Sequence, residues 1–397
     1  MNPLSNRINS LEESQTLAMT RKSRELQQQG IDIINLSLGE PDFNTPSIIK
    51  EAGKKAIDDN FTHYMPVAGY ADLREAISKK FKRENNLSYS PEQIVVSTGA
   101  KQSLANAILC LINPGDEVLV PAPYWVSYVE MIKLAEGVPV IVPSALENNF
   151  KVTPAQLKKY ITPKTKMMVF SSPCNPTGTV YSTKELLGIA KLIAEHENIF
   201  IISDEIYEHI HFKGKPASIA GFDFIYDKVI TINGVSKGYA MTGWRIGYMG
   251  APLFIASACD KMQGQITSGT SSIAQKAAKA AVNMNSSATH QMRDEFKRRR
   301  DLVLAKMKEI QGLKANVPEG AFYVFPDVTH YFGKKFADKK IKNATDLCMF
   351  LLTEAHVALV TGEAFGDSNC IRFSYAASEA KLIEALDRMK KALALLK

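Results

Sequence analysis

From residue 93 the chain repeats one pattern: a short β-branched run, a glycine or proline turn, then an amphipathic helix. Ile94, Val95 and Val96 make the first run, Thr98-Gly99-Ala100-Lys101 the turn, and residues 102–111 the helix. Apolar runs follow at 117–121, 167–171, 199–203 and 228–232. A helix over 183–196 is announced by the capping-box pair Ser182 and Glu185. Runs this short and this uniformly apolar read as strands buried on both faces. Strands separated by helical crossovers predict an α/β fold with a mostly parallel central sheet and helices on both sides. In such sheets the chemistry collects at the C-terminal ends of the strands.

Before and after this region the order differs. Residues 14–29 read as a helix, 31–38 as a strand, and Gly39-Glu40-Pro41-Asp42 as a loop, followed by helices over 47–59 and 71–84. Beyond residue 286 come a long helix (287–310), a strand (321–325), a helix (344–356), strands at 357–360 and 370–375, and a last helix over 378–396. Its stripe of Leu382, Leu386, Met389, Leu393 and Leu396 is core. The expected organisation is an arm and part of a small domain in 1–44, a large domain in 45–285, and a small α+β domain in 286–397. The 397 residues suffice for two cores.

Charge excludes little but is informative. A net charge of +7 arises from 48 basic and 41 acidic residues. The densest basic run, Lys297, Arg298, Arg299 and Arg300, is flanked by acids and is expected to be a solvated helix face. With no zinc-finger spacing or RNP-like aromatic set, no nucleic-acid partner is expected. The five cysteines are far apart with no C-x-x-C pair, which predicts free thiols in a reducing compartment. No apolar h-region opens the chain and no run of 18 apolar residues occurs, so a cytoplasmic protein without a membrane span is expected. His209 and His211, read as alternating on a strand, lack a third ligand and point to no metal.

The polar outliers at the strand ends carry the chemistry. Asn175 follows the 167–171 strand between two prolines, and Asp204 and Tyr207 follow the 199–203 strand. Lys237 and Arg245 follow the 228–232 strand, and Arg372 is embedded in an apolar strand of its own. A lysine among small and apolar residues, with Gly234 and Gly238 nearby, is a desolvated amine able to form a Schiff base with a carbonyl. An acid at the end of an apolar strand needs a positive partner, and a buried arginine needs an anion. The helix that starts after Gly99 presents unpartnered amides and the positive end of its dipole.

The motifs S-P-x-N-P-T-G (172–178), S-D-E-I-Y (203–207), S-K-G-Y-A-M-T-G-W-R-I-G (236–247) and I-R-F-S (371–374) occur in this order. With Y-x-x-x-x-G (64–69) and E-G-A-F-Y (319–323), the chain resembles the class I and II aminotransferases over nearly its whole length. These are pyridoxal-phosphate enzymes of the aspartate aminotransferase fold, or fold type I. The resemblance implies that Lys237 holds pyridoxal 5'-phosphate and shuttles a proton, that Asp204 pairs with the ring nitrogen, and that Tyr207 and Asn175 bond the phenolic oxygen. It assigns the phosphate to Arg245, Ser236 and the turn Gly99-Ala100-Lys101. Tyr64 would reach it from a neighbouring subunit, in a homodimer with shared sites. Trp125 would stack on the ring, and Arg372 would grip the substrate carboxylate beside Gly39.

Lys101, with Thr16 (and Ser14) on the first helix, matches the bacterial subgroup Ib aspartate aminotransferases, where these positions meet the distal carboxylate. Ala100 departs from the glycine often found there, which should matter little because only its amide is needed. The implied reaction is transfer of the amino group of L-aspartate to 2-oxoglutarate by a ping-pong cycle. The same subgroup holds enzymes that accept prephenate. A lyase or an aminocyclopropane-carboxylate-type synthase on the same fold would share most of these residues.

Overall fold

The computed structural model of the protein describes residues 3–13, 15–285 and 287–397. Seven strands form one sheet: β1 (Ile94–Ser97), β2 (Glu117–Pro121), β3 (Val138–Val142), β4 (Thr165–Ser171), β5 (Phe200–Asp204), β6 (Val229–Gly234) and β7 (Gly247–Gly250). Their order across the sheet is β1-β7-β6-β5-β4-β2-β3. Five, β2 to β6, run parallel to one another, while β7 is antiparallel to both β1 and β6. The mostly parallel sheet expected from the sequence is therefore present.

Side chains alternate between its two faces, as strand geometry requires. Leu119, Met168 and Phe170 enter one apolar cluster together with the helices Ser47–Asp58, Ala71–Lys80, Thr183–Ala194 and Ser272–Asn283. Val118, Val120, Met167 and Val169 enter the other, against Ala100–Leu111, Ser127–Leu134 and Leu253–Ile266. Two strands went unpredicted, each for a local reason. β3 contains Pro139, which cannot donate to a ladder and is tolerated because β3 pairs only with β2 at the sheet edge. β7 is a four-residue strand bracketed by Gly247 and Gly250, so its pattern reads as a turn.

Outside the sheet the expectations need trimming. The 31–38 strand shrinks to Ile34–Asn35, parallel to Val357–Ala358. Asn35 Oδ1 accepts from the backbone N–H of Ser37 (3.0 Å), a local bond that competes with a longer ladder. The 71–84 helix ends at Lys80 and continues as a π-helical turn, Phe81–Asn85. A three-stranded antiparallel sheet joins Tyr323–Val324, Ile371–Ser374 and Val360–Thr361, with Arg372 on the middle strand opposite Val360. The core around it combines Phe296, Leu382, Leu386 and Met389 with Ile34 and Leu36 from the N-terminal segment, and with Tyr207 from the end of β5. All five cysteines are free, as expected.

The basic run on the Ser287–Met307 helix is not the solvated face the sequence suggested. Lys297 and Arg298 are exposed, but Arg299 is buried. Arg299 Nη1 donates to Asp42 Oδ1 (2.7 Å), its Nε donates to Glu295 Oε1 (2.8 Å), and its guanidinium lies 5.2 Å from the Phe43 ring centre. Arg300 donates to the Pro318 carbonyl (2.8 Å) and covers the Phe212 ring. A flat charged group can lie on an aromatic face, so flanking acids did not settle which arginines meet water. The Arg299 latch ties the Gly39–Asp42 loop to this helix. Replacing Arg299 with Met should lower the free energy of unfolding in urea by about 1–3 kcal/mol, because Asp42 and Glu295 lose a charged donor.

Candidate active site

The C-terminal ends of β1, β2, β4, β5 and β6 open on one cavity of ≈ 280 Å³. Eleven of the residues singled out from the sequence line it: Gly39, Ala100, Lys101, Trp125, Asn175, Asp204, Tyr207, Ser236, Lys237, Arg245 and Arg372. Gly99 lies just behind. Its φ is +81°, and a Cβ there would stand 2.2 Å from Arg245 Nη2, so the turn is open only to glycine. Tyr64 is outside the cavity and 95% exposed. Ser14 and the side chain of Thr16 lie outside the described residues.

Lys237 follows β6, and its amine donates to the Gly39 carbonyl. Burial lowers its pKa to about 8; Arg372 and Arg245 push the same way, against Glu40 and Asp204. Asp204 ends β5 and is 4% exposed. Tyr128 OH donates to its Oδ2 (2.7 Å) and the Ile206 N–H to its Oδ1 (3.2 Å). Burial nevertheless raises its pKa to about 6, since these bonds and the nearby Lys237 only partly restore what water supplied. At neutral pH the carboxyl is ionised and short of a counter-charge.

Arg372, 2% exposed, is held flat between two rings, with its carbon 4.7 Å from the Tyr323 centre and 4.9 Å from that of Phe365. Nη1 donates to Asn175 Oδ1 (3.0 Å) and Nη2 to the Ser37 carbonyl (2.6 Å), while Nε has no partner. A buried, unsatisfied guanidinium donor on a cavity wall suits a carboxylate. Arg245 adopts a left-handed backbone (φ 56°) and donates to the Thr242 carbonyl (2.9 Å). Beside it, the Ala100–Leu111 helix begins with no side-chain cap, leaving its first amides to an anion. Lys101 lies 4.9 Å from the Trp125 ring, and burial, reinforced by Arg245, lowers its pKa.

Among the described residues, none of Lys101, Lys237, Arg245 and Arg372 forms an ion pair with a carboxylate, although the surface carries many such pairs. The cavity is thus built for anions: one at the helix start and Arg245, one at Arg372 and Asn175, and one at Lys101. The donor set fits a phosphorylated aldehyde of the pyridoxal type. Lys237 would supply the amine, Asp204 an acid for a ring nitrogen, and the Tyr207 hydroxyl, which shares a bond with Tyr323 OH (2.8 Å), a phenolic neighbour.

Two residues of the site received no role from the sequence. Tyr323 closes the E-G-A-F-Y motif and Tyr128 follows Trp125 by three residues, yet a tyrosine in an apolar run carries no local sign of a role. The spacing Trp125-x-x-Tyr128 on one helix was the available signal for the first. The 208–211 segment was expected to be a strand but is a series of turns, apart from a single bridge of His211 to Gly320. It brings His209 near Glu84 and Glu208 rather than along a sheet.

The raised pKa of Asp204 sets a testable penalty. An acid whose folded pKa lies above its unfolded value lowers stability as pH rises from about 4 to about 6, and the loss persists above that. Cofactor-free Asp204→Asn should therefore be more stable than the parent at pH 8 by on the order of 2–3 kcal/mol, with the difference vanishing near pH 4, as measured by urea unfolding at both pH values.

Comparison with known proteins agrees with this geometry. A family model described as aminotransferase class I and II matches residues 31–389. An aspartate/prephenate aminotransferase of Cereibacter sphaeroides is 46% identical, over 98% of this chain and 98% of its own length. A bifunctional aspartate aminotransferase and glutamate/aspartate-prephenate aminotransferase of Petunia hybrida is 48% identical, over 99% of this chain and 83% of its own. The crystal structure of the aspartate aminotransferase of Rhizobium meliloti superposes with a TM-score of 0.97 at 40% identity, covering 100% of both chains.

Proposed function

The chain belongs to the class I and II aminotransferase family, and on that premise we propose that it moves the amino group of L-aspartate to 2-oxoglutarate with pyridoxal 5'-phosphate. The observation that carries this reading is the set of cationic groups without acidic partners around one cavity, with an amine of lowered pKa among them. The names of the relatives support aspartate as donor. When bound, the cofactor supplies an electron-withdrawing ring that stabilises negative charge at the substrate Cα.

The residues divide the work. Arg245, Ser236 and the amides of Ala100 and Lys101 hold the phosphate. Asp204, aimed by Tyr128, keeps the ring nitrogen protonated, which its ionised state above about pH 6 allows. Tyr207, whose own proton burial retains, and Asn175 bond the phenolic oxygen. Trp125 covers the ring. Lys237 would be the nucleophilic amine that holds the cofactor's aldehyde carbon and would move the proton at the substrate Cα. Arg372 takes the α-carboxylate as a fork near Gly39. Lys101, with Thr16, faces the distal carboxylate.

Further parts of the proposal concern assembly and setting. Tyr64, 95% exposed, is suited to complete the site of a second subunit, in a cytoplasmic homodimer. Among the described residues no helix is long and apolar enough to cross a membrane. Residues 45–285 would form the cofactor-binding domain, with 1–44 and 286–397 a smaller one. A second amino acceptor, prephenate, is favoured by the names of the relatives.

The purified protein with pyridoxal 5'-phosphate should be yellow, and aspartate alone should convert the absorbance to that of the aminated cofactor with release of oxaloacetate. An unchanged spectrum with aspartate, beside a change with another amino acid, would refute the aspartate assignment. Lys237→Ala should lose turnover. Arg372→Lys should lower kcat/KM for aspartate on the order of a hundredfold, because an ammonium cannot offer the planar pair of donors.

A further inference from the structure

Glu208 follows Tyr207 directly and is 6% exposed. Its counter-charge is Lys80, the last residue of the Ala71–Lys80 helix, whose side chain is wholly buried. The Lys80 ammonium bonds Glu208 Oε1, donates to Asn85 Oδ1 (3.0 Å), and lies 3.5 Å from Glu84 Oε2. Asn85 Nδ2 in turn donates to Glu208 Oε2 (2.6 Å). The π-helical turn Phe81–Asn85 makes this possible, folding Glu84 and Asn85 back over the ammonium of the preceding residue. Burial alone would raise the Glu208 pKa, but Lys80 and then His209 outweigh it and hold it at about 2.

The next residue carries the network to the other side of the chemistry. His209 Nε2 lies 3.4 Å from Glu208 Oε1 and 3.6 Å from Glu84 Oε2. Its ring packs on Gly238, where a Cβ would stand 2.5 Å from His209 Cδ2, and edge-on against Tyr239 at 5.0 Å. Gly238 is the residue after Lys237. The hydrogen-bonded group of Lys80, Asn85 and Glu208 therefore adjoins Tyr207, and the His209 ring, packed beside it with no hydrogen bond at Nε2, adjoins Lys237 through Gly238. Glu84, Glu208 and His209 converge as metal ligands do, but the Lys80 ammonium already occupies the cationic position.

We infer that Lys80, Glu208 and His209 are positioning residues that fix the Tyr207 hydroxyl relative to the Lys237 amine. The inference rests on the reading of the cavity as a cofactor site. A buried ion pair seldom adds stability beyond what well-packed apolar side chains of the same size supply. What it does add is direction, because two charged groups with fixed partners admit one arrangement where methyl groups admit several.

The full-length protein loaded with pyridoxal 5'-phosphate tests this through three readings: thermal midpoint, the pH midpoint of the visible absorbance, and kcat against KM for aspartate. Glu208→Gln retains acceptor and shape and should keep the absorbance midpoint near that of the parent. Lys80→Met/Glu208→Met should recover the thermal stability that Glu208→Ala loses. It should nonetheless move the absorbance midpoint upward by about one pH unit and lower kcat about tenfold with little change in KM. The upward direction follows because a displaced Tyr207 no longer draws charge from the cofactor's phenolic oxygen. A double variant with parental midpoint and kcat overturns the inference. Should that variant not fold, His209→Gln carries the same reading: a shifted midpoint supports the role, and a parental one overturns it. A parent protein that shows no pH-dependent visible absorbance refutes the cofactor reading instead.

Discussion

Like charges that share a cavity repel, and this fold holds Lys101, Lys237, Arg245 and Arg372 around one volume with Asp204 as the fully buried acid among its lining groups. Everything nearby can be understood as restraint on that arrangement. Arg372 is pinned between two aromatic faces and two acceptors. Arg245 is tied to the Thr242 carbonyl through a backbone conformation that side chains usually avoid. Lys237 leans on the Gly39 carbonyl. The supporting walls are strands whose residues are apolar on both faces, so that relaxing one cation means displacing a packed core. Cations gathered this closely repel one another, and an anionic ligand bound among them relieves that repulsion.

Much of that site was legible in the chain because an ionisable residue at the end of an apolar strand is conspicuous. Asp204 and Arg372 interrupt apolar strands and Lys237 stands among small residues just past one, and the structure brings all three to one cavity. Tyrosine breaks nothing, so Tyr128 and Tyr323 drew no role from the sequence although one bonds Asp204 and the other meets Tyr207. Their hydroxyls matter through partners distant in sequence, and no local pattern encodes such a partner. Lys80 is hidden for the same reason. A lysine near the end of an amphipathic helix reads as solvated, and only the π-helical turn and the 204–211 segment show that it is enclosed.

The fold followed the same divide. Strands buried on both faces, such as β4 and β5, were found because hydrophobic content and length agree. β3 and β7 were missed because proline and glycine suppress the local signal, and only pairing with neighbours makes them strands. The buried Arg299 is the same lesson for charge: its acids, one of them Asp42, and its aromatic floor come from two separate parts of the chain.

The antiparallel strand β7 has one more effect. Gly234 and Gly247 lie opposite each other in the β6–β7 ladder, so the intervening residues 235–246 leave the sheet and return to the same point. Lys237 is near the start of that excursion and Arg245 near its close. The loop is thus a gauge of fixed circumference, with its two ends fastened side by side and its residue count bounding the span between its two working groups. Elsewhere on the surface a loop could gain or lose a residue and keep its function. Here the chain length itself is the dimension of the ligand.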